Sequence, residues 1–556
     1  MTGLLHATAF ALVLVAAGST AHAAAKKAGP DARFVALYTK EWAWRGQQMA
    51  ANEDTPAGQA AALLPDVSEA SQQRKLAYWQ DVLKALKAID PKTLSAQHAE
   101  DYAVYRFQIE TLIADQVYKT YQRPLAGDTS FWGDLADMAR GTFRTEDDYR
   151  NYISQLNDFP RYFQQNTDNM RAGLKRGFTT PQVVLQGRDA TIATGIGPAA
   201  PEDNIYYTPF KTMPATIPAD RAAAIRAEGL AAVRDKVIPA HKALLAFFRS
   251  EYQPGAVKSL AAVDLPDGRA FYQSQIREYT TLNTPPDQIH QLGLDEVAHL
   301  QAEMRAVMIE VGFKGDIAAF NAYLRTAPQF YVTKPQDLLD RAAWVATGGR
   351  GGPGIYLVNT YNLPSRPLYS LPALTMHESA PGHAFQMPLA SENKALPPFR
   401  RDTYISAYGE GWALYCERLG DEMGIYTTPY ERYGMLSYQM WRAARLVVDT
   451  GLHSQGWTRE RAQQYLLANT ALSEHEVTTE VDRYVAWPAQ ALSYYLGEMD
   501  IWKNRHRAEK ALGEKFDVRN FHDAVLDLGS VPLPVIDARI DRFIADGGKS
   551  PYGDEK

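Results

Sequence analysis

The sequence predicts a mainly α fold. Apolar and aromatic residues recur at three- and four-residue spacings through most of the chain, strand-like alternation is scarce, and a helix-start signal precedes one of the longest such runs. With 556 residues and 46% hydrophobic content, the chain is long enough to bury a large core. The formal net charge of −6 comes from 58 basic and 64 acidic residues without a long single-sign run, so the basic footprint of a nucleic-acid binder is missing.

Residues 1–23 read as a signal peptide. An apolar run from Ala7 to Ala17 leads through Gly18-Ser19-Thr20 to Ala21-His22-Ala23, an A-x-A cleavage signal, although His6 is the only basic-type residue before the run. The run is too short for the ~20 residues that span a bilayer, and no later segment qualifies. The expectation is a periplasmic or secreted protein without stable membrane insertion. Cys416 is the only cysteine, which rules out an intrachain disulfide, and no cysteine follows the apolar run to accept a lipid.

The mature chain is expected to divide into an N-terminal helical part, 24–270, and a C-terminal helical part, 271–556. From Asp31 to Phe178 the pattern is helical, as in Tyr102, Tyr105, Ile109 and Leu112. The Gly/Pro-rich stretch from Gly195 to Pro218 predicts an extended connection, and helix resumes from Ala219 to about Tyr252. Thr284-Pro285-Pro286-Asp287 is a start signal for a helix ending near Gly312, with Thr284 as the capping hydroxyl. The glycine cluster Gly348 to Gly354 lacks the Gly-Lys-Ser/Thr ending of a phosphate cradle. Followed by Ile355 to Thr360, it predicts a hairpin or edge strand, a small β element lining a cleft. From Leu371 onward the chain is helical again.

The chemistry concentrates in His377-Glu378-Ser379-Ala380-Pro381-Gly382-His383. A hydrolytic zinc site wants three protein ligands and an open position, commonly two His and a carboxylate, and its usual sequence form places the two His four apart. Here they stand at 377 and 383, which on a regular helix leaves them roughly 120° apart and unable to share an ion. Pro381 removes an N–H from the helical ladder and Gly382 tolerates unusual dihedrals, so a bulge or a break with restart can return His383 to the face of His377. Glu410, in Gly409-Glu410-Gly411-Trp412, is the expected third ligand, and Glu417, seven residues on, is expected to stand behind the ligands on the same helix face. Zinc is the expected metal, with manganese or cobalt as alternatives.

The stretch from His377 to Gln386 together with Glu410 to Tyr415 resembles the bacterial domain-of-unknown-function 885 family. So do Gly293 to Val297, Arg445 to His453, and Arg483-Tyr484 leading into Trp487-Pro488. The resemblance implies a two-lobed helical zinc-peptidase-like fold, similar to thimet oligopeptidase and angiotensin-converting enzyme, with the active site in a cleft between the lobes. It also implies that Tyr494, or its neighbour Tyr495, lies where a tyrosine donates to the oxyanion.

These readings converge on a metallopeptidase of short peptides, with an amidase or esterase of non-peptide acyl substrates, such as acyl amino acids, as the alternative. A non-catalytic binding protein with a relict site would be expected to lack the base or a ligand, and none is lacking. Glu378 is the expected general base, and Tyr494, His453 and Arg483 are the expected oxyanion donors. Asp449, four residues before His453, is placed to orient that imidazole. Tyr356 to Thr360 would pair with an extended peptide, with Arg350 or Arg366 meeting a terminal carboxylate.

Overall fold

The computed structural model describes residues 29–49, 61–127, 129–347 and 356–553. The expected signal peptide, the glycine cluster and Arg350 lie outside the described residues. Among the described residues the fold is helical throughout, and the one sheet is the antiparallel pair β1 (Leu125–Ala126) and β2 (Thr129–Ser130). No described helix is long and apolar enough to cross a membrane.

The first helices are α1 (Pro30–Gly46), α2 (Glu69–Lys87) and α3 (Ala96–Tyr118), followed after the hairpin by α4 (Glu146–Arg176). Thr145 and Asp148 form a reciprocal capping box at the start of α4, and Gly177 ends it at φ 73°. Helix α5 (Ala219–Ala232) continues through two wide π turns, Val233–Val237 and Phe248–Tyr252, to Gly255. Each π turn lies just before a proline, Pro239 or Pro254, where the missing N–H would otherwise interrupt the ladder.

Helices α6 (Gly268–Thr280) and α7 (Pro286–Glu310) lead to the site region. There α8 (Leu371–Glu378), α9 (His383–Glu392), α10 (Ser406–Glu422), α11 (Pro429–Gln455), α12 (Glu474–Ala486) and α13 (Ser493–Leu512) pack together, before the terminal α14 (Leu533–Ala545). Helices α10 and α13 cross with their backbones almost in contact. A Cβ on Gly497 would sit 1.9 Å from the carbonyl oxygen of Ala407, and one on Gly411 would sit 2.5 Å from the carbonyl carbon of Gly497. Only glycine fits, and the crossing holds the helix bearing Glu410 against the helix bearing Tyr494.

Among the described residues, three large apolar cores and a small fourth cluster at Leu338, Ala342 and Leu371 stabilise the molecule. One, including Phe131, Tyr152, Phe163 and Phe248, lies within the first half of the chain. A second surrounds the buried α11, with Leu300, Met304, Leu446 and Val447. The third joins Phe34, Trp79 and Tyr105 to Tyr408, Trp412 and Phe543, across the expected division at residue 270. The N-terminal helices therefore support the wall of the site directly.

Three local expectations change. Tyr356 to Thr360 forms no strand with any of the described residues, and Tyr356 and Val358 pack instead on Leu338, Ala342 and Leu371. Gly195 to Pro218 is not extended but folds into short helical turns at 201–203, 205–207 and 208–211, with Pro201 and Pro209 near the starts of two of them, where a missing N–H costs nothing. Helix α7 begins one residue later than its signal suggested, with Pro285 at the cap and no capping bond from Thr284.

Candidate metal centre

Helix α8 stops at Glu378, the chain turns through Ser379 to Gly382 with a cis Ala380–Pro381 bond, and α9 restarts at His383. Gly382 is pressed onto the preceding turn, where a Cβ would lie 1.9 Å from the carbonyl oxygen of His377. The Trp412 indole N–H donates to the Pro381 carbonyl at 2.8 Å, tying the break to α10. This is the expected break with restart, and it returns the second imidazole to the first: the rings lie 4.8 Å apart and at 89°.

Glu410 on α10 completes the group. Its Oε2 lies 3.4 Å from Nε2 of His377 and 3.4 Å from Nε2 of His383, and the three candidate ligand atoms all lie within 4.8 Å of one another. Donors about 2.0–2.1 Å from a tetrahedral zinc stand about 3.3 Å from each other, so this spacing fits a shared small cation. His377 Nδ1–H donates to Glu417 Oε1 at 2.7 Å, which fixes the tautomer and leaves the Nε2 lone pair facing the cluster. Glu417 is fully buried, with the Arg442 guanidinium 3.7 Å behind it.

The electrostatics call for positive charge between these groups. Burial disfavours charged His377, yet the Glu410 and Glu417 carboxylates lift its pKa to about 9. Burial likewise pushes Glu410 up, but the two imidazoles outweigh it and hold the carboxyl well below the usual carboxylate range. Two buried carboxylates that favour a proton on the intervening imidazole also favour a metal ion in its place.

Glu378, next to His377 in sequence, is exposed, and its charge acts on the Tyr404 hydroxyl. One residue was missed from the sequence. Tyr404, in the loop before α10, lays its ring over Gly409 and donates its hydroxyl to Glu410 Oε1 at 3.0 Å. Burial, then the nearby charges of Glu410, Tyr494 and Glu378, push its hydroxyl far above the ordinary tyrosine value, so it stays a donor. Nothing in the spacing of a loop tyrosine marks such a contact; only the glycine at 409, which leaves room for the ring, hints at it.

Tyr494 is 7% exposed and accepts from Arg483 Nη2 at 3.2 Å, whereas Tyr495 is turned away and donates to Glu296 at 3.0 Å. Of the two, Tyr494 lies close enough to act on the Tyr404 hydroxyl that bonds Glu410. His453 is a correction. It is fully buried, its Nδ1 accepts from the Ala262 N–H at 3.2 Å and its Nε2–H donates to the Tyr484 carbonyl at 2.9 Å, so no donor is left for an oxyanion. Burial also lowers its pKa to about 4 and keeps it neutral. Asp449 does not orient it, because that carboxylate accepts from Tyr272 at 2.6 Å and from the Ala489 N–H. Arg366 donates to the Tyr361 carbonyl and lies 3.5 Å from Glu476.

A family model described as a bacterial protein of unknown function, DUF885, matches residues 52–348 and 345–540. No curated protein matches the chain. A protein of Colwellia psychrerythraea described as a candidate lipoprotein is similar in structure, with a TM-score of 0.81 and 24% identity over 93% of this chain and 100% of that one. A candidate lipoprotein of unknown function from Shewanella oneidensis is also similar, with a TM-score of 0.68 and 17% identity over 92% of this chain and 99% of that one. At these identities the likeness extends to the fold.

Proposed function

The chain belongs to the DUF885 family, and from that premise we propose that it is an exported metal-dependent hydrolase, a metallopeptidase of short peptides. The observation that carries this reading is the convergence of His377, His383 and Glu410 to within ligand distance, with Glu417 behind them and the exposed Glu378 next to His377 in sequence. The similarity to helical zinc oligopeptidases belongs to this proposal, as does export, which rests on the A-x-A signal and on the description of two similar structures as candidate lipoproteins.

His377, His383 and Glu410 would hold zinc, with manganese or cobalt as substitutes for the same N and O donors. Such an ion supplies a Lewis acid for the scissile carbonyl and a water of lowered pKa. Glu378 takes the proton of the attacking water and returns it to the leaving amine. Glu417 holds the His377 ring in its metal-facing tautomer. Tyr494, with Tyr404 beside it, offers a hydroxyl where negative charge develops on the carbonyl oxygen. The non-peptide alternative uses the same groups on a different acyl bond.

The test combines elemental analysis of purified protein with turnover of a panel of peptides, N-acyl amino acids and esters. Glu378→Gln should keep the metal and lose activity by about 10²–10⁴-fold. Undiminished turnover in that variant would remove Glu378 from the mechanism, and active wild type without zinc, manganese or cobalt would remove the metal.

A further inference from the structure

Three arginines adjoin the site with more hydrogen-bonding capacity than the protein uses. Arg442 and Arg445 of α11 are 4% and 1% exposed, and Arg483 of α12 reaches the same place. All three surround Tyr494: the Arg445 guanidinium lies 4.4 Å from its ring centre, that of Arg442 5.9 Å, and Arg483 bonds its hydroxyl. Arg442 is also the group 3.7 Å from Glu417, so the cluster connects directly to the carboxylate behind His377.

These guanidinia are incompletely satisfied. Nε and Nη1 of Arg442, Nη1 of Arg445 and Nε of Arg483 are buried without a hydrogen-bond acceptor. Unpaired buried donors on charged groups are costly and uncommon, and their concentration in one place points to an absent acceptor. The charges agree. Three guanidinia share two carboxylates: Glu480, 2.7 Å from Arg445 and 3.7 Å from Arg483, and Glu417, already bonded to His377. Arg483 is the most accessible of the three, with its side chain 29% exposed. Its other bonds go to neutral groups, Gln490 and Tyr494.

We propose that Arg483, supported by Arg445 and Arg442, binds a free carboxylate of the substrate, so that hydrolysis is directed to bonds near the C-terminal end of short peptides or of N-acyl amino acids. This rests on the hydrolase reading and narrows its substrate class. It also moves carboxylate recognition away from Arg366, whose Nε is already bonded to a backbone carbonyl and which lies beside Glu476.

The test reads binding apart from turnover. Zinc-loaded Glu378→Gln protein is titrated calorimetrically with N-acyl di- and tripeptides, each as the free acid and as the carboxamide, with and without Arg483→Gln or Arg483→Lys. Free acids should bind about 10- to 100-fold more tightly than their amides. Arg483→Gln should abolish that preference, and Arg483→Lys, which keeps the charge, should retain part of it. Unchanged zinc content and circular dichroism show that each variant is folded. Equal affinity for acids and amides, binding of neither, or a preference that survives Arg483→Gln overturns the proposal. If acids are preferred but wild type cleaves nothing in the panel, the carboxylate site stands and the hydrolase reading fails.

Discussion

Glu417→Gln isolates the contribution of the group behind the metal ligands, because it keeps the size of the side chain and removes its charge. The Glu417 carboxylate is fully buried and accepts from His377 Nδ1 at 2.7 Å, a short charge-assisted bond. Charge-assisted bonds contribute about 1.5–3 kcal/mol and neutral ones about 0.5–1.5, so the substitution should weaken the hold on the ring by about 1–2 kcal/mol. That corresponds to roughly tenfold weaker metal binding, the lower end of the 10- to 100-fold found when such supporting partners are lost. A competition titration against a chelator reads this affinity directly. Thermal unfolding gives a second reading, since at fixed excess zinc a tenfold rise in Kd removes about 1.4 kcal/mol of metal-linked stability. Metal-free protein must be melted alongside, because the variant also leaves Arg442, 3.7 Å away, without its buried counter-charge. If Glu417→Gln binds zinc within a factor of two or so of wild type, the carboxylate does not orient the ligand, and the account of the site is wrong in its supporting layer.

Tyr404→Phe removes one hydrogen bond to Glu410. Zinc affinity should fall by about 5- to 30-fold at most, since the bond is neutral-to-carboxylate and adds about 1–2 kcal/mol at best; a loss as large as that from removing a ligand would make Tyr404 part of the coordination itself. Gly497→Ala places a methyl 1.9 Å from the Ala407 carbonyl oxygen, a backbone atom that can move only if the helices part. Destabilisation of about 3 kcal/mol or more is expected in denaturant titration, and a loss under about 1 kcal/mol would mean that the α10–α13 contact is looser than described. His241 tests pH dependence away from the site. Burial lowers its pKa from 6.5 to about 4, so the folded protein resists a proton that the unfolded chain accepts. Its neutral form costs nothing above pH 6.5, and about 3 kcal/mol is lost progressively as pH falls from 6.5 toward 4. His241→Gln should flatten this part of the acid-stability profile, and an unchanged slope would show that His241 is not a source of it.

The sequence was most readable where backbone chemistry leaves little choice. A six-residue His spacing with Pro381-Gly382 between can form a shared site only through a distorted or broken helix, and the chain breaks between Glu378 and His383. The seven-residue interval from Glu410 to Glu417 was readable for a similar reason, since two turns of one helix keep both carboxylates on one face toward His377. Periodicity fails once the partner comes from another segment. Asp449 and His453 do lie one turn apart on α11, but Tyr272 and Ala489 claim the first, and Ala262 and Tyr484 claim the second. Spacing reports which way a side chain points and is silent on what it meets. For the same reason Tyr356 to Thr360 has strand-like composition, yet among the described residues no strand pairs with it.

The arginines mark the deeper reason why a long buried helix hides its function. On α11 the apolar residues that define the core occupy most faces, so Arg442 and Arg445 look like interruptions of a hydrophobic pattern. Burying two guanidinia in such a helix is expensive unless the fold repays them, and the protein repays them only in part: aromatic rings lie against both, Glu417 and Glu480 balance some of the charge, and four N–H groups in the cluster with Arg483 stay unpaired. An apolar pair would pack there at lower cost. A purely structural role leaves that partial payment unexplained, whereas a substrate carboxylate explains the placement of the charges, their incomplete pairing and their position beside the metal ligands together.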